Sequence, residues 1–212
     1  MTTIVTNGEI VLIDRLASAE NDNDVVLNSF VNKFREIKNG KVMKEHHNLD
    51  FEPTMAFITG SIGKAHVRIN FLEEQHQDFS LRMLSVFGTS GENSYDILLT
   101  GKAGNVILMN DKNHKSIGSY LQSHPRVFGS GSGFKEESCF DFTASSEEEL
   151  LDLFLMSVYF DPSSSYEYNK VTLGTKPKIE YFNPSEERIK EAFCRFYNPV
   201  FYRQRPKIRE SL

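Results

Sequence analysis

Short apolar runs broken by turn residues mark the start of the chain. Thr2 to Thr6 and Glu9 to Asp14 read as two strands joined by Asn7-Gly8. Asn-Gly predicts a hairpin, because both central positions of a type I′ turn need a positive φ. The chain is thus expected to open in a strand, with no tail before it. A polar stretch, Ala19 to Asp24, follows. Asp24 is placed to cap a helix on which Val26, Leu27, Phe30, Val31, Phe34 and Ile37 form one apolar stripe, with Gly40 as its terminator. Thr54 to Ser61 is an apolar run with an abrupt Gly-Ser stop, a strand, and a helix is expected over Ala65 to Gln75. Gln77 to Phe87 fits either two turns of helix or a strand. Tyr95 to Thr100 and Asn105 to Met109 form a hairpin around Gly101 and Gly104. Ser116 to Leu121 reads as a short strand ahead of Arg126-Val-Phe-Gly. Ser145-Ser146 followed by three glutamates opens a helix to about Tyr159, since serine caps the first turn and the helix dipole favours acids there. That helix buries Leu150, Leu151, Leu153, Phe154 and Val158, and ends at Asp161-Pro162. Strands over Lys170 to Gly174 and Lys178 to Phe182 precede a helix opened by Asn183-Pro-Ser-Glu-Glu. A tail mixing aromatic and basic residues closes the chain.

Length and composition narrow the class. A chain of 212 residues is one domain, or one domain with an appendage, and 39% hydrophobic residues with 17 Phe supply its core. No apolar run reaches 18 residues, which argues against a transmembrane helix, and no secretory signal is visible. Two cysteines, Cys139 and Cys194, do not make a disulfide framework, so a reducing cytoplasm is the expected compartment. A net charge of −5 argues against general nucleic-acid binding. The histidines lack HExxH spacing and no CxxC occurs, so neither a metal nor another cofactor is expected.

Chemistry enters at the second residue. With Met1 removed, Thr2 carries a free α-amino group and a hydroxyl on one residue. A threonine hydroxyl is a poor nucleophile until a nearby base takes its proton. An α-amine, with a pKa of about 7.7–8.0, is partly neutral near pH 7. Many chains begin Met-Thr without being enzymes, so the remaining residues carry the argument.

Thr2-Thr3-Ile4-Val5, the Asn-Gly turn, a hydrophobic strand and then Asp14 resemble the opening of HslV and its proteasome-like relatives, which are N-terminal-nucleophile (Ntn) hydrolases. Further matches follow in order. The resemblance implies a lysine beside the nucleophile, at Lys41 or Lys44. Lys41-Val42 fits the local pattern, whereas Lys44 fits better the spacing to the next glycine. It also implies that the Gly60 N–H is an oxyanion donor, with no side chain blocking the substrate. Phe128 to Phe134, FGSGSGF, resembles the family turn that opens a helix, with Ser130 bonding the terminal amine. Without GKS or GKT it is no P-loop. Asp161 and Ser164 match a corner that supports the same amine, although an ordinary Asp-Pro turn explains them equally.

The implied fold is α+β, a four-layer αββα sandwich of two mostly antiparallel sheets flanked by helices. Residues 1–174 would form the domain, with a helical insertion at about 22–40. Residues 175–212 would form a C-terminal extension packed on the domain or on a neighbouring subunit. The implied activity is a threonine-type amidohydrolase acting on peptide or protein, in a homo-oligomer and with an unfoldase ATPase as a candidate partner. The site would comprise Thr2, Asp14, Lys41 or Lys44, Gly60, Ser130, Asp161 and Ser164. Two alternatives stay open: a catalytically silent Ntn-fold protein used for binding or assembly, and a small-molecule amidase.

Overall fold

The computed structural model describes residues 2–20, 26–73, 95–102, 105–110, 114–116, 126–131, 139–143, 146–159, 161 and 164–196. The expectations for Gln77 to Phe87, for the end of the Gly-Ser repeat and for the tail beyond 196 lie outside them.

Strand β1 (Thr3–Thr6) and strand β2 (Ile10–Asp14) form the expected hairpin, in the register Ile4↔Ile13 and Thr6↔Val11. The turn differs from expectation. Gly8 takes a positive φ of 89°, but Asn7 does not. Asn7 instead uses its side-chain oxygen to accept the N–H groups of Glu9 and Ile10, so the turn is closed by an Asx-type contact.

In the segment expected as one helix over 22–40, the described residues 26–39 carry strands and no helix. Strand β3 (Leu16–Glu20) pairs antiparallel with strand β4 (Val26–Phe30), and strand β5 (Phe34–Glu36) pairs with the next strand, β6 (Met55–Gly60). A stripe at 26, 27, 30, 31, 34 and 37 satisfies a helical period, but two short strands broken at Val31 to Lys33 satisfy it too. Helix α1 (Gly40–His47) follows, so Gly40 opens a helix rather than ending one. The reason is steric: a Cβ on Gly40 would lie 2.1 Å from the Pro53 carbonyl oxygen.

Helix α2 (Ile62–Glu73), strands β7 (Tyr95–Thr100), β8 (Val106–Asn110), β9 (His114–Ser116), β10 (Arg126–Gly131) and β11 (Cys139–Thr143) come next. β11 stands where the Gly-Ser turn was expected to lead into a helix. Helices α3 (Glu147–Tyr159) and α4 (Glu186–Phe196) enclose strands β12 (Tyr168–Thr172) and β13 (Lys178–Phe182).

The strands make two main antiparallel sheets. One has the order β11-β10-β1-β2-β12-β13; the other has the order β5-β6-β7-β8-β9. Alternation along each strand separates three apolar layers. Ile4, Val11, Ile13 and Val171 of the first sheet meet Met55, Phe57, Leu98, Val106 and Leu108 of the second. The opposite face of the first sheet, with Val5, Leu12 and Tyr168, packs on Leu150, Phe154 and Val158 of α3 and on Ala192 of α4. The opposite face of the second, with Ala56, Ile58, Ile97 and Leu99, packs on Met43 of α1 and on Ala65, Ile69 and Leu72 of α2. The result is an αββα sandwich, as expected. No helix among the described residues is long and apolar enough to cross a membrane.

Candidate active site

At one end of the inter-sheet layer, polar groups converge on a buried carboxylate. Asp14 ends β2 and is fully buried. Its Oδ1 accepts the Thr3 N–H at 2.7 Å, and its Oδ2 accepts the N–H groups of Leu16 at 3.1 Å and Ser165 at 3.4 Å. Lys33 Nζ donates to both oxygens at 3.0 Å. Lys33 is itself buried, and its backbone carbonyl accepts Ile58 N–H of β6 at 2.8 Å. The ammonium therefore sits within hydrogen-bond reach of the same oxygen that anchors the residue after Thr2.

Electrostatics at this pair run in two directions. Burial, the largest influence, pushes the Asp14 carboxyl above its ordinary value, against the pull of the Lys33 charge and the Thr3 N–H. Burial likewise pushes Lys33 below the ordinary lysine value, while the Asp14 and Asp161 charges oppose it. Opposing shifts of this kind, on two groups in direct contact, mark a candidate functional site.

The remaining candidates are placed as follows. Thr2 is buried at 2% exposure, at the mouth of β1. Gly60 ends β6 opposite Tyr95, is exposed and has φ 73°, a left-handed conformation that glycine adopts without strain. Ser130 pairs through its backbone with Ile4, and Gly131 with Thr3, so β10 runs alongside the start of β1. Asp161 is buried, and its Oδ2 accepts the Ser164 hydroxyl at 2.6 Å. The Ser164 hydroxyl lies 2.9 Å from that of Thr3. Asp161, Ser164 and Thr3 thus form a chain of polar groups leading to β1.

Lys41 and Lys44 are not brought to this site. Both are exposed on α1, and Lys41 faces Glu45 one turn along at 3.9 Å. Lys33 occupies the place beside Asp14 instead. The sequence reading passed over it because it put Lys33 inside a helix. A lysine within the apolar run Phe30-Val31-Asn32-Lys33-Phe34, after the β-branched pair Val25-Val26, was the available signal. Among the described residues no group of three His, Cys, Asp or Glu could hold a metal ion.

No family model and no curated protein matches this sequence. The identification with HslV and the proteasome, drawn from short stretches, is overturned by matching solved structures of Anbu. Short turns and strand ends of one chemistry match readily in chains that share no more than a fold. Solved structures do match. A Gly-1 mutant of Anbu from Hyphomicrobium sp. strain MC1 aligns over 97% of this chain and 98% of its own, with a TM-score of 0.54 and 10% identity. Anbu from the same strain, in a second structure, aligns over 98% and 99%, with a TM-score of 0.52 and 11% identity. What this chain shares with Anbu, a proteasome-like protein related to Ntn hydrolases, is the sandwich fold.

Proposed function

We propose that this protein is an amidohydrolase whose nucleophile is the hydroxyl of Thr2, exposed at the chain terminus when Met1 is removed. The observation that supports it most is the buried Lys33–Asp14 pair tied directly to the Thr3 N–H. A buried ion pair is a poor source of stability, because desolvation offsets its attraction. One fastened to the residue after a candidate nucleophile has a use there. The Thr2 amine takes the hydroxyl proton as oxygen attacks an amide carbonyl. The Lys33 charge stabilises the developing alkoxide, and Asp14 holds that lysine in place. The Gly60 N–H accepts the charge of the tetrahedral intermediate by donating to its oxyanion. The Thr2 ammonium then gives its proton to the leaving amine as the C–N bond breaks. Water, deprotonated by the same amine, hydrolyses the ester. Asp161 and Ser164 steady the start of β1 through Thr3. Ser130 is offered as a further partner of the amine.

One observation favours a second reading. Thr2 is 2% exposed, so a chain that keeps Met1 presents almost no hydroxyl to a substrate. Such a chain would serve in binding or assembly.

The experiment is intact mass followed by Thr2→Ala. A mass about 131 Da below the full chain means that the amine is free. Peptide hydrolysis is then expected in the native protein and absent from a folded Thr2→Ala variant. A retained Met1, or hydrolysis that survives the substitution, rejects the threonine mechanism. Acylated small amines, assayed beside peptides, separate an amidase from a peptidase. Sedimentation of the same sample tests for the homo-oligomer.

A further inference from the structure

β12 carries one polar residue into the layer between the sheets. Val171 belongs to that layer and Tyr168 to the layer beneath α3, so alternation turns Asn169 inward. Asn169 pairs with Ile13, and its neighbour Tyr168 pairs with Asp14. It is 4% exposed. A buried amide in apolar surroundings costs about 1–3 kcal/mol when unpaired and contributes only about 0.5–1.5 kcal/mol net when bonded. Leucine, of similar size, would serve the layer better on packing grounds alone.

The Asn169 side-chain N–H₂ donates to the Asn32 side-chain oxygen at 3.3 Å, across 137 positions of sequence. Asn32 is exposed and directly precedes Lys33. The backbone on either side of it is anchored. Val31 N–H donates to the Arg15 carbonyl at 2.9 Å, and the Lys33 carbonyl accepts Ile58 N–H of the five-stranded sheet. Asn32 is the step between those anchors. Its side chain reaches the six-stranded sheet, which also carries Thr2 and Asp14.

We infer that Asn169 is a positioning residue, which acts through Asn32 to hold the Lys33 segment in register with Asp14 and the start of β1. The role rests on the reading of Lys33 as part of the site. It ties a lysine presented by one sheet to a carboxylate presented by the other. Without the contact, the Lys33 segment keeps only its backbone anchors at Val31 and Lys33, and its ammonium shifts relative to Thr2 while still reaching Asp14.

The test uses the full chain with Asn32→Ala, Asn169→Leu and the double variant, all labelled with ¹³C at lysine Cε. The Lys33 resonance is identified by its loss in Lys33→Arg. Expected is the same displacement of the Lys33 signal in both single variants, with no further displacement in the double, because the two act as one unit. Asn32→Ala, at an exposed position, is expected to keep the urea midpoint. With a hydrolysed peptide, kcat falls by about ten- to a hundredfold at unchanged KM in each variant. An unmoved Lys33 signal in Asn32→Ala, or effects that add in the double, overturns the inference. If Asn169→Leu does not fold, Asn32→Ala decides. If the native protein cleaves neither peptides nor acylated small amines, the hydrolase reading fails, yet the Lys33 signal still tests the Asn169–Asn32 contact.

Discussion

Three backbone N–H groups and one ammonium converge on Asp14, so neither member of the Asp14–Lys33 pair can be removed alone without stranding the other. Asp14→Asn and Lys33→Met should each destabilise the fold by about 3–5 kcal/mol, and the double variant by less than the sum. Urea unfolding of the four proteins checks this, and additive losses would remove the coupling. The pair also gives stability a pH dependence whose signs differ. Lys33 is held below 10.5 in the fold. Between its lowered value and 10.5 the unfolded chain binds a proton that the folded chain has released, so stability rises with pH through that window. Asp14 is held above 3.8. Between 3.8 and its raised value the folded chain keeps a proton that the unfolded chain has lost, so stability falls as pH rises there. The difference in urea midpoint between the native protein and the Asp14→Asn, Lys33→Met double should show both slopes. A difference flat in pH would mean that neither group is perturbed.

At the scale of elements, what could be read from sequence depended on whether a pattern had one solution. The hairpin of β7 and β8 and helix α3 were legible because two apolar runs around a glycine turn, or a serine cap with three glutamates, admit little else. Region 16–36 was not, because its apolar spacing suits a helix and a broken strand pair alike, and the polar Asn21 to Asp24 can be read as a cap or as a turn. That single ambiguity hid Lys33 and sent the search to Lys41 and Lys44. Thr2, Asp14, Gly60, Asp161 and Ser164 were candidates by resemblance, and each lies at a strand end or corner, where short motifs are easiest to match. Helix α4 shows a further limit. Its amphipathic pattern predicts burial of Ile189 and Ala192, but not the ion pairs that fasten it. Buried Asp152 of α3 forms ion pairs with Arg188, whose Nη2 lies 2.7 Å away, and with Arg195, whose Nε lies 3.1 Å away; its Oδ1 accepts Arg195 Nη2–H at 3.3 Å, and Arg195 also reaches Glu148. Asp152→Ala should cost about 1–3 kcal/mol. It should strip hydrogen-exchange protection from α4 before that of β1 or β2 changes. Equal loss of protection in all three would make the contact global rather than local.

Across the whole molecule, the candidate site belongs to neither sheet. Thr2, Asp14 and Ser165 come from the six-stranded sheet and its connections; Lys33 and Gly60 flank β5 and β6 of the five-stranded one. Their alignment depends on how the two inner faces interlock, and Phe57 stands at that contact, fully buried, its ring 6.0 Å from that of Phe34, the residue after Lys33. Leu150 is equally buried but lies on the far side of the six-stranded sheet, on the inner face of α3. Large-to-small changes at these two positions should cost alike, about 3–5 kcal/mol for Phe57→Ala and about 2–5 kcal/mol for Leu150→Ala. Either loss leaves a fold that starts at about 10 kcal/mol, the middle of the ordinary range, largely populated at room temperature. Their consequences for the site should differ. Phe57→Ala opens a cavity between the sheets, next to the strand that carries Lys33, and lets one sheet settle against the other. Leu150→Ala lets α3 settle without changing the distance between the sheets. The Lys33 Cε resonance should therefore move in Phe57→Ala and stay in Leu150→Ala at matched stability. If both variants move it equally, the site responds to overall loosening. If only Phe57→Ala does, the packing between the sheets sets the geometry on which the chemistry depends.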